Sequence, residues 1–191
     1  MAEASRFFRS EDGDRVYSAE EFAEYFRSII RDGVTYDDEE GLKIIANGSN
    51  MTLTVMTGGA FVQGYQFFLY DPKDIDIDTE GAGQNRIDLI ILKVDRLGDR
   101  KLSLEIKKGT PASNPSPPEL IKDIEDSGIY EYALAEVGVT GGQSYLEQGD
   151  IITRANKAKI LNNKYRQIFI STDEPVASEG EDGDIWIKYE P

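Results

Sequence analysis

Between Ser18 and Arg31 apolar side chains recur at helical spacing. Phe22, Tyr25, Phe26, Ile29 and Ile30 fall on one stripe, and Glu20, Glu24, Arg27 and Arg31 take the opposite face. Ser18 followed by Glu21 spells a capping box, in which hydroxyl and carboxylate each accept an amide that the first turn would leave unpaired. Tyr17 and Phe22 stand at the positions of a hydrophobic staple. Gly33 is expected as the left-handed residue that closes the helix. An aromatic stripe at this spacing is more often core than partner groove, so core packing is the expectation.

After Gly33 the period changes to two. Leu42 to Ala46 and Met51 to Met56 read as strands around the turn Asn47-Gly48-Ser49-Asn50, and Gly58-Gly59 marks the next boundary. From Phe61 to Tyr70 both alternating faces are largely apolar, which predicts one central strand covered on both sides. Ile87 to Val94 is the most hydrophobic stretch and reads as a strand from its β-branched residues. Lys101 to Lys107 alternates, with Leu102, Leu104 and Ile106 inward, and the turn Leu97-Gly98-Asp99-Arg100 joins the two as a hairpin. Ile129 to Val139, Asp150 to Thr153, Gln167 to Ser171 and Asp184 to Tyr189 supply further strands. The proline-rich run from Pro111 to Pro118 is an extended connection, and a short helix from Pro118 to Glu125 is expected after it.

This pattern predicts a mainly β protein: an antiparallel, jelly-roll-like β-sandwich with an N-terminal amphipathic helix and a C-terminal extension. The organisation expected is an arm and helix over 1–34, a core over 35–153, and a basic segment with a C-terminal strand over 154–191.

Composition narrows the chemistry. The 191 residues contain no Cys and no His, which excludes the usual zinc sites, a thiol nucleophile, a Ser-His-Asp triad and a disulfide framework. With 39% hydrophobic and 30% charged residues the chain has the makeup of a folded globular protein, and its length suits one main core. A net charge of −15 argues against partnership with nucleic acid or an anionic membrane. No run of 18 apolar residues appears, and the polar start is unlike a signal peptide, so folding in a reducing cytoplasm without membrane insertion is expected.

Asp74, Asp76, Asp78 and Glu80 alternate with Ile75 and Ile77. Such oxygen-rich spacing can hold calcium, but Thr79 stands where a calcium loop of the EF-hand type needs glycine, and a half-buried strand with an acidic face explains the pattern. Arg86, Asp88, Asp95 and Arg96 flank or interrupt the most apolar strand and are expected to form one structural ion-pair network, because an isolated buried charge is costly. A carboxylate pair for glycoside hydrolysis can be nominated in any acidic chain, and here no motif anchors one. No cofactor is called for.

Five basic residues and no acid lie between Arg154 and Arg166: Arg154, Lys157, Lys159, Lys164 and Arg166. On an acidic chain this segregation suits docking onto the acidic surface of a neighbouring copy or another subunit, set against the plainer reading of a solvated segment. Tyr65, Tyr70, Trp186 and Tyr189 are candidates for a sugar-stacking platform. Most are expected in the core, with Trp186 and Tyr189 the candidate ligand contacts.

The ordered set of segments resembles a known family. YSAEEFAEYF from Tyr17, DGV from Asp32, GGAFVQGYQF from Gly58, NRIDLIILKVDR from Asn85, the PP-E-L step from Pro117, YEYALAEVGVTGG from Tyr130, GDIITRAN from Gly149 and EDGDIWIKYEP from Glu181 look like tail and baseplate structural proteins of phages of Gram-positive bacteria. The resemblance implies a non-enzymatic virion component made in the host cytoplasm, in the attachment or shoulder region of a baseplate or tail fibre. It implies assembly as a homotrimer and contact with other tail proteins. Since the chain stops at Pro191, an adaptor or fibre-attachment subunit is expected. The alternative is a carbohydrate-binding β-sandwich that attaches to host cell-wall glycan.

Overall fold

The computed structural model describes residues 6–13, 16–35, 41–159, 168–172 and 185–188. They fall in two compact units, Met1–Ile160 and Leu161–Pro191.

The first unit is mainly β and antiparallel, with one α-helix among its described residues. Helix α1 (Ala19–Ile29) begins as expected: Ser18 Oγ accepts from the Glu21 amide at 3.2 Å and Glu21 accepts from the Ser18 amide at 2.9 Å. The Tyr17 and Phe22 rings sit 6.5 Å apart and complete the staple. The helix ends differently from expectation. Ile30 is already extended, and the next amide, of Arg31, donates to the Lys159 carbonyl at 2.8 Å, so a crossing strand rather than a left-handed glycine terminates the helix. Gly33 instead opens β1 (Gly33–Val34), where a Cβ would lie 2.5 Å from the Ala158 nitrogen. Close approach of another backbone is why glycine is required there.

Three small sheets surround one core. Strands β2 (Ile44–Ala46), β3 (Thr52–Val55) and β6 (Lys73–Asp76) form one, with Ala46 opposite Leu53 across the expected Asn47–Asn50 turn. Strands β1, β4 (Gly58–Val62) and β5 (Tyr65–Leu69) form the second. Here Phe61 to Tyr70 is not one central strand. Gln63 and Gly64, at φ 52° and 79°, make a two-residue turn that folds the segment into a hairpin with Val62 opposite Tyr65. Asp32 holds Gln63 in this conformation, accepting its backbone amide at 2.7 Å and its side-chain amide at 2.9 Å.

The third sheet runs β11 (Ile151–Thr153), β10 (Ile129–Val139), β7 (Arg86–Asp95), β8 (Lys101–Lys107), with β9 (Lys122–Asp123) beside the start of β10. The β7–β8 hairpin forms as expected, although Ile106 is exposed rather than inward. No helix forms over 118–125. The Ile121 amide donates to Glu131 at 2.8 Å, and Asp123 accepts the Asp126 and Ser127 amides at 3.1 Å, which makes β9 and a turn. A bulge at Leu134 aims its carbonyl at the amides of Arg154 and Ala155, at 2.8 and 3.0 Å, and steers the chain after β11 back toward β1. Leu53, Val55, Val62, Ile90, Leu92, Leu134, Val137 and Leu146 are fully or almost fully buried and draw the three sheets into one cluster. That arrangement is sandwich-like.

In the second unit β12 (Ile168–Ser171) and β13 (Ile185–Lys188) pair in parallel, with Phe169 opposite Trp186. No helix among the described residues is long and apolar enough to cross a membrane.

Candidate functional site: an aromatic surface

The stripe of α1 is where the structure departs most from expectation. Only Ala23 of the helix is buried. It lies on the hairpin turn so closely that a Cβ on Gly64 would stand 1.8 Å from the Ala23 carbonyl oxygen. Phe22 and Tyr25 remain 45% and 44% exposed, and Phe26 is also exposed. The stripe is therefore not core. Docking through an alanine and a glycine explains this: it brings the helix down on its narrowest side, which leaves the large rings beside the contact instead of beneath it.

These rings belong to a longer chain of aromatics. Phe7 packs against Tyr17 and Phe22 at 5.3 Å and against Tyr25 at 5.0 Å. Tyr25 meets Phe26 at 5.6 Å, and Phe26 meets Phe61 of β4 at 6.2 Å. Across the hairpin, Phe61 faces Gln66 and Gly59 faces Phe68. The Phe68 ring covers Gly59, where a Cβ would meet it at 2.8 Å, and Tyr70 stacks on Phe68 at 5.8 Å. Tyr70 is 82% exposed. The rings thus form two exposed groups on the same hairpin face, joined across it by the half-buried Phe61 and the Gln66 opposite it, and exposed aromatic surface is characteristic of interaction sites.

Sequence reasoning missed a signal for this surface. From Ile44 to Tyr70 no residue carries a charge, although the chain is 30% charged. The run builds β2 to β5. It delivers Phe61, Gln66, Phe68 and Tyr70 to one outer hairpin face, while Ala60 and Val62 turn into the core.

The nominated interface residues divide. Arg154 is engaged within its own chain, 2.8 Å from Glu136. Lys157 and Lys159 are exposed on an extended segment that pairs with β1 in parallel through Val34 and Lys157. Lys164 and Arg166 lie outside the described residues, as does Tyr189. Trp186 is half-buried on β13.

The acidic run forms the strand edge that the plainer reading expects. Asp74 and Asp76 accept from Thr54 and Thr52 at 2.6 and 2.7 Å, and Asp78 pairs with Lys108 at 2.8 Å, which holds its carboxyl below the ordinary range. Among the described residues no three acids converge in a way that could hold a metal ion.

The four charged residues around β7 form two groups, not one network. At the start of the strand Arg86 and Asp88 are buried and paired at 2.9 Å, and Arg86 also reaches Glu80 at 2.7 Å and the Asp78 carbonyl. At the other end Asp95 accepts the Gly98 amide at 2.7 Å, and Arg96 donates to the Glu125 carbonyl at 3.0 Å. A rise of about 3.3 Å per residue along the ten-residue strand sets these ends too far apart to join. Where β9 pairs with β10, Lys122 lies over the Tyr130 ring at 4.1 Å. Burial, with Asp32 nearby, pushes the Tyr130 hydroxyl up to about 12.

No family model matches the chain, and no curated protein matches it.

Proposed function

We propose that the chain is a structural subunit of a phage tail tip or baseplate, acting as an assembly adaptor or fibre-attachment part and not as an enzyme. The observation that supports this reading most is the aromatic surface from Phe7 through α1 to Tyr70, because large rings held at a surface by a short helix and a hairpin suit burial by another subunit. The ordered motifs that resemble tail and baseplate proteins agree with it. In this role the partners are further copies of the chain, expected as a homotrimer, and neighbouring tail proteins, and the protein resides in the virion.

Mass spectrometry of purified tailed particles from a lysate that makes this protein is the direct test. A fixed copy number in intact particles supports the proposal. Presence in the lysate with none in the particles refutes it. A second reading, attachment to cell-wall glycan, draws on the flat exposed face of Tyr70 stacked on Phe68. Saturable binding of purified wall glycan, lost in Tyr70→Ala, would favour it.

A further inference from the structure

The second and third sheets end in β5 and β8, and these end strands line a cleft of about 390 Å³ that the first turn of α1 completes. Small-molecule sites typically span about 300–1,000 Å³, so this cleft suits a ligand of one or two rings. Tyr65, Val94 and Leu102 give it apolar walls. Several of its charges are already committed: Asp95 accepts the Gly98 amide at 2.7 Å, and Lys101 pairs with Asp99 at 2.9 Å. Others are not. Among the described residues the side chains of Arg100 and Gln66 have no hydrogen bond or ion pair. Arg96 donates to the Glu125 carbonyl at 3.0 Å, but its Nε is buried without a partner, which is uncommon for a buried donor. Arg100 stands in left-handed backbone at φ 50°, where a turn by itself favours glycine or asparagine, so the turn does not account for an arginine there. Facing these donors, Glu20 is held ionised: its own backbone amide and then the Ser18 hydroxyl lower its carboxyl. Burial raises the Tyr65 hydroxyl, which therefore keeps its proton.

An unpaired cation, a fixed anion and an apolar wall together limit the ligand. A neutral sugar leaves Arg100 unanswered. A phosphate or a dicarboxylate brings a second negative charge toward Glu20 on a chain of −15. A single carboxylate at Arg100 avoids most of that repulsion, because charges more than about 8 Å away are largely screened at physiological salt. Hydroxyl groups on the same molecule answer Glu20 and Gln66, and a pyranose ring suits the walls. We propose that the cleft between β5 and β8 binds a sugar acid, with its carboxylate at Arg100, its hydroxyls at Gln66 and Glu20, and its ring against Tyr65 and Leu102. This goes beyond the assembly reading, which requires no small ligand, and the site is separate from the Tyr70 face.

The test is isothermal titration calorimetry of the full chain with D-glucuronate and with a disaccharide that carries glucuronate on glucose, beside D-glucose and acetate. Saturable binding of glucuronate is expected, with glucose and acetate each weaker by about tenfold or more, since each lacks part of what the cleft recognises. Arg100→Gln removes the unpaired cation, and Gln66→Glu sets a carboxylate of the same shape in the cleft. Each is expected to weaken glucuronate by about tenfold or more. Both side chains are exposed, so circular-dichroism melts should match wild type, and if one variant melts early the other decides. Tighter binding of the disaccharide supports the proposal with the sugar acid as a glycan end, and tighter binding of the monomer supports it with a free sugar acid. The absence of saturable binding by either sugar acid overturns the proposal. So does glucose or acetate binding as tightly as glucuronate, or glucuronate binding unchanged in both folded variants. The particle measurement judges the virion assignment separately in every case.

Discussion

The region from Ile44 to Tyr70 and the sheet built on β7 and β10 contribute to the same core by opposite means. In the first, Leu53, Val55, Ala60 and Val62 are buried without any charged residue in the segment. In the second, Arg86, Asp88 and Glu131 are buried among the strands. These ions gather the loops: Arg86 binds the carbonyls of Asp78 and Thr79, Asp88 accepts the Gly109 amide at 2.8 Å, and Glu131 accepts from Lys107 at 2.6 Å and from the Ile121 amide. Charge is spent internally in one region and withheld in the other. The region that withholds it leaves Gln66, Phe68 and Tyr70 exposed on one outer face.

Breaking the charged region should have the largest effect. Arg86→Met strands Asp88 in a buried site, and a loss of about 3–5 kcal/mol is expected in urea unfolding. Adding Asp88→Leu should recover part of that loss; a single variant as stable as wild type would show that the pair does not hold the sheet. In the neutral region the sensitive point is steric. Gly64→Ala sets a Cβ against the Ala23 carbonyl and strains a left-handed position, so a drop of about 1–3 kcal/mol is expected, read as a lower melting temperature. Ser18→Ala removes the cap that starts α1 and should cost about 1 kcal/mol in the same melt.

The smallest effect is expected at alkaline pH. Tyr130 binds its proton more tightly folded than unfolded, since burial and then Asp32 raise its hydroxyl to about 12 from the ordinary 10.0. Its contribution to stability is therefore complete below pH 10 and declines as pH rises toward 12. Burial raises the Tyr65 and Tyr132 hydroxyls too, which steepens the same limb. Ultraviolet titration should show late-ionising tyrosines in the wild type and one fewer in Tyr130→Phe; identical curves would contradict this.

Much of this architecture is legible in the chain because local chemistry and global packing agree. The Ser18–Glu21 cap, the β7–β8 hairpin and the long β10 strand follow from capping residues, turn residues and alternation. Three features were hidden for physical reasons. The hairpin at Gln63-Gly64 lacks the usual Asn-Gly signal, and its glutamine is held left-handed by Asp32, which lies far off in sequence. The segment after Pro118 has helix-compatible residues, yet Glu131 and Asp123 offer its amides better partners in the folded chain. The exposure of the α1 stripe depends on Gly64 admitting Ala23, a tertiary contact that helical periodicity does not encode. By contrast, the uncharged run from Ile44 to Tyr70 was plain in the residues, and it is the signal that leads to the aromatic surface.

That surface and the basic segment make opposite demands on salt, so the salt dependence of self-association separates them most directly. Between about 0.02 and 0.5 M salt the screening length falls severalfold, and the mutual repulsion of two chains at −15 falls with it. Sedimentation across that range should show association of the full chain strengthening as salt rises, because a neutral aromatic contact loses nothing to screening. Association that weakens with salt would point to the exposed Lys157 and Lys159 as the contact, and would contradict the account.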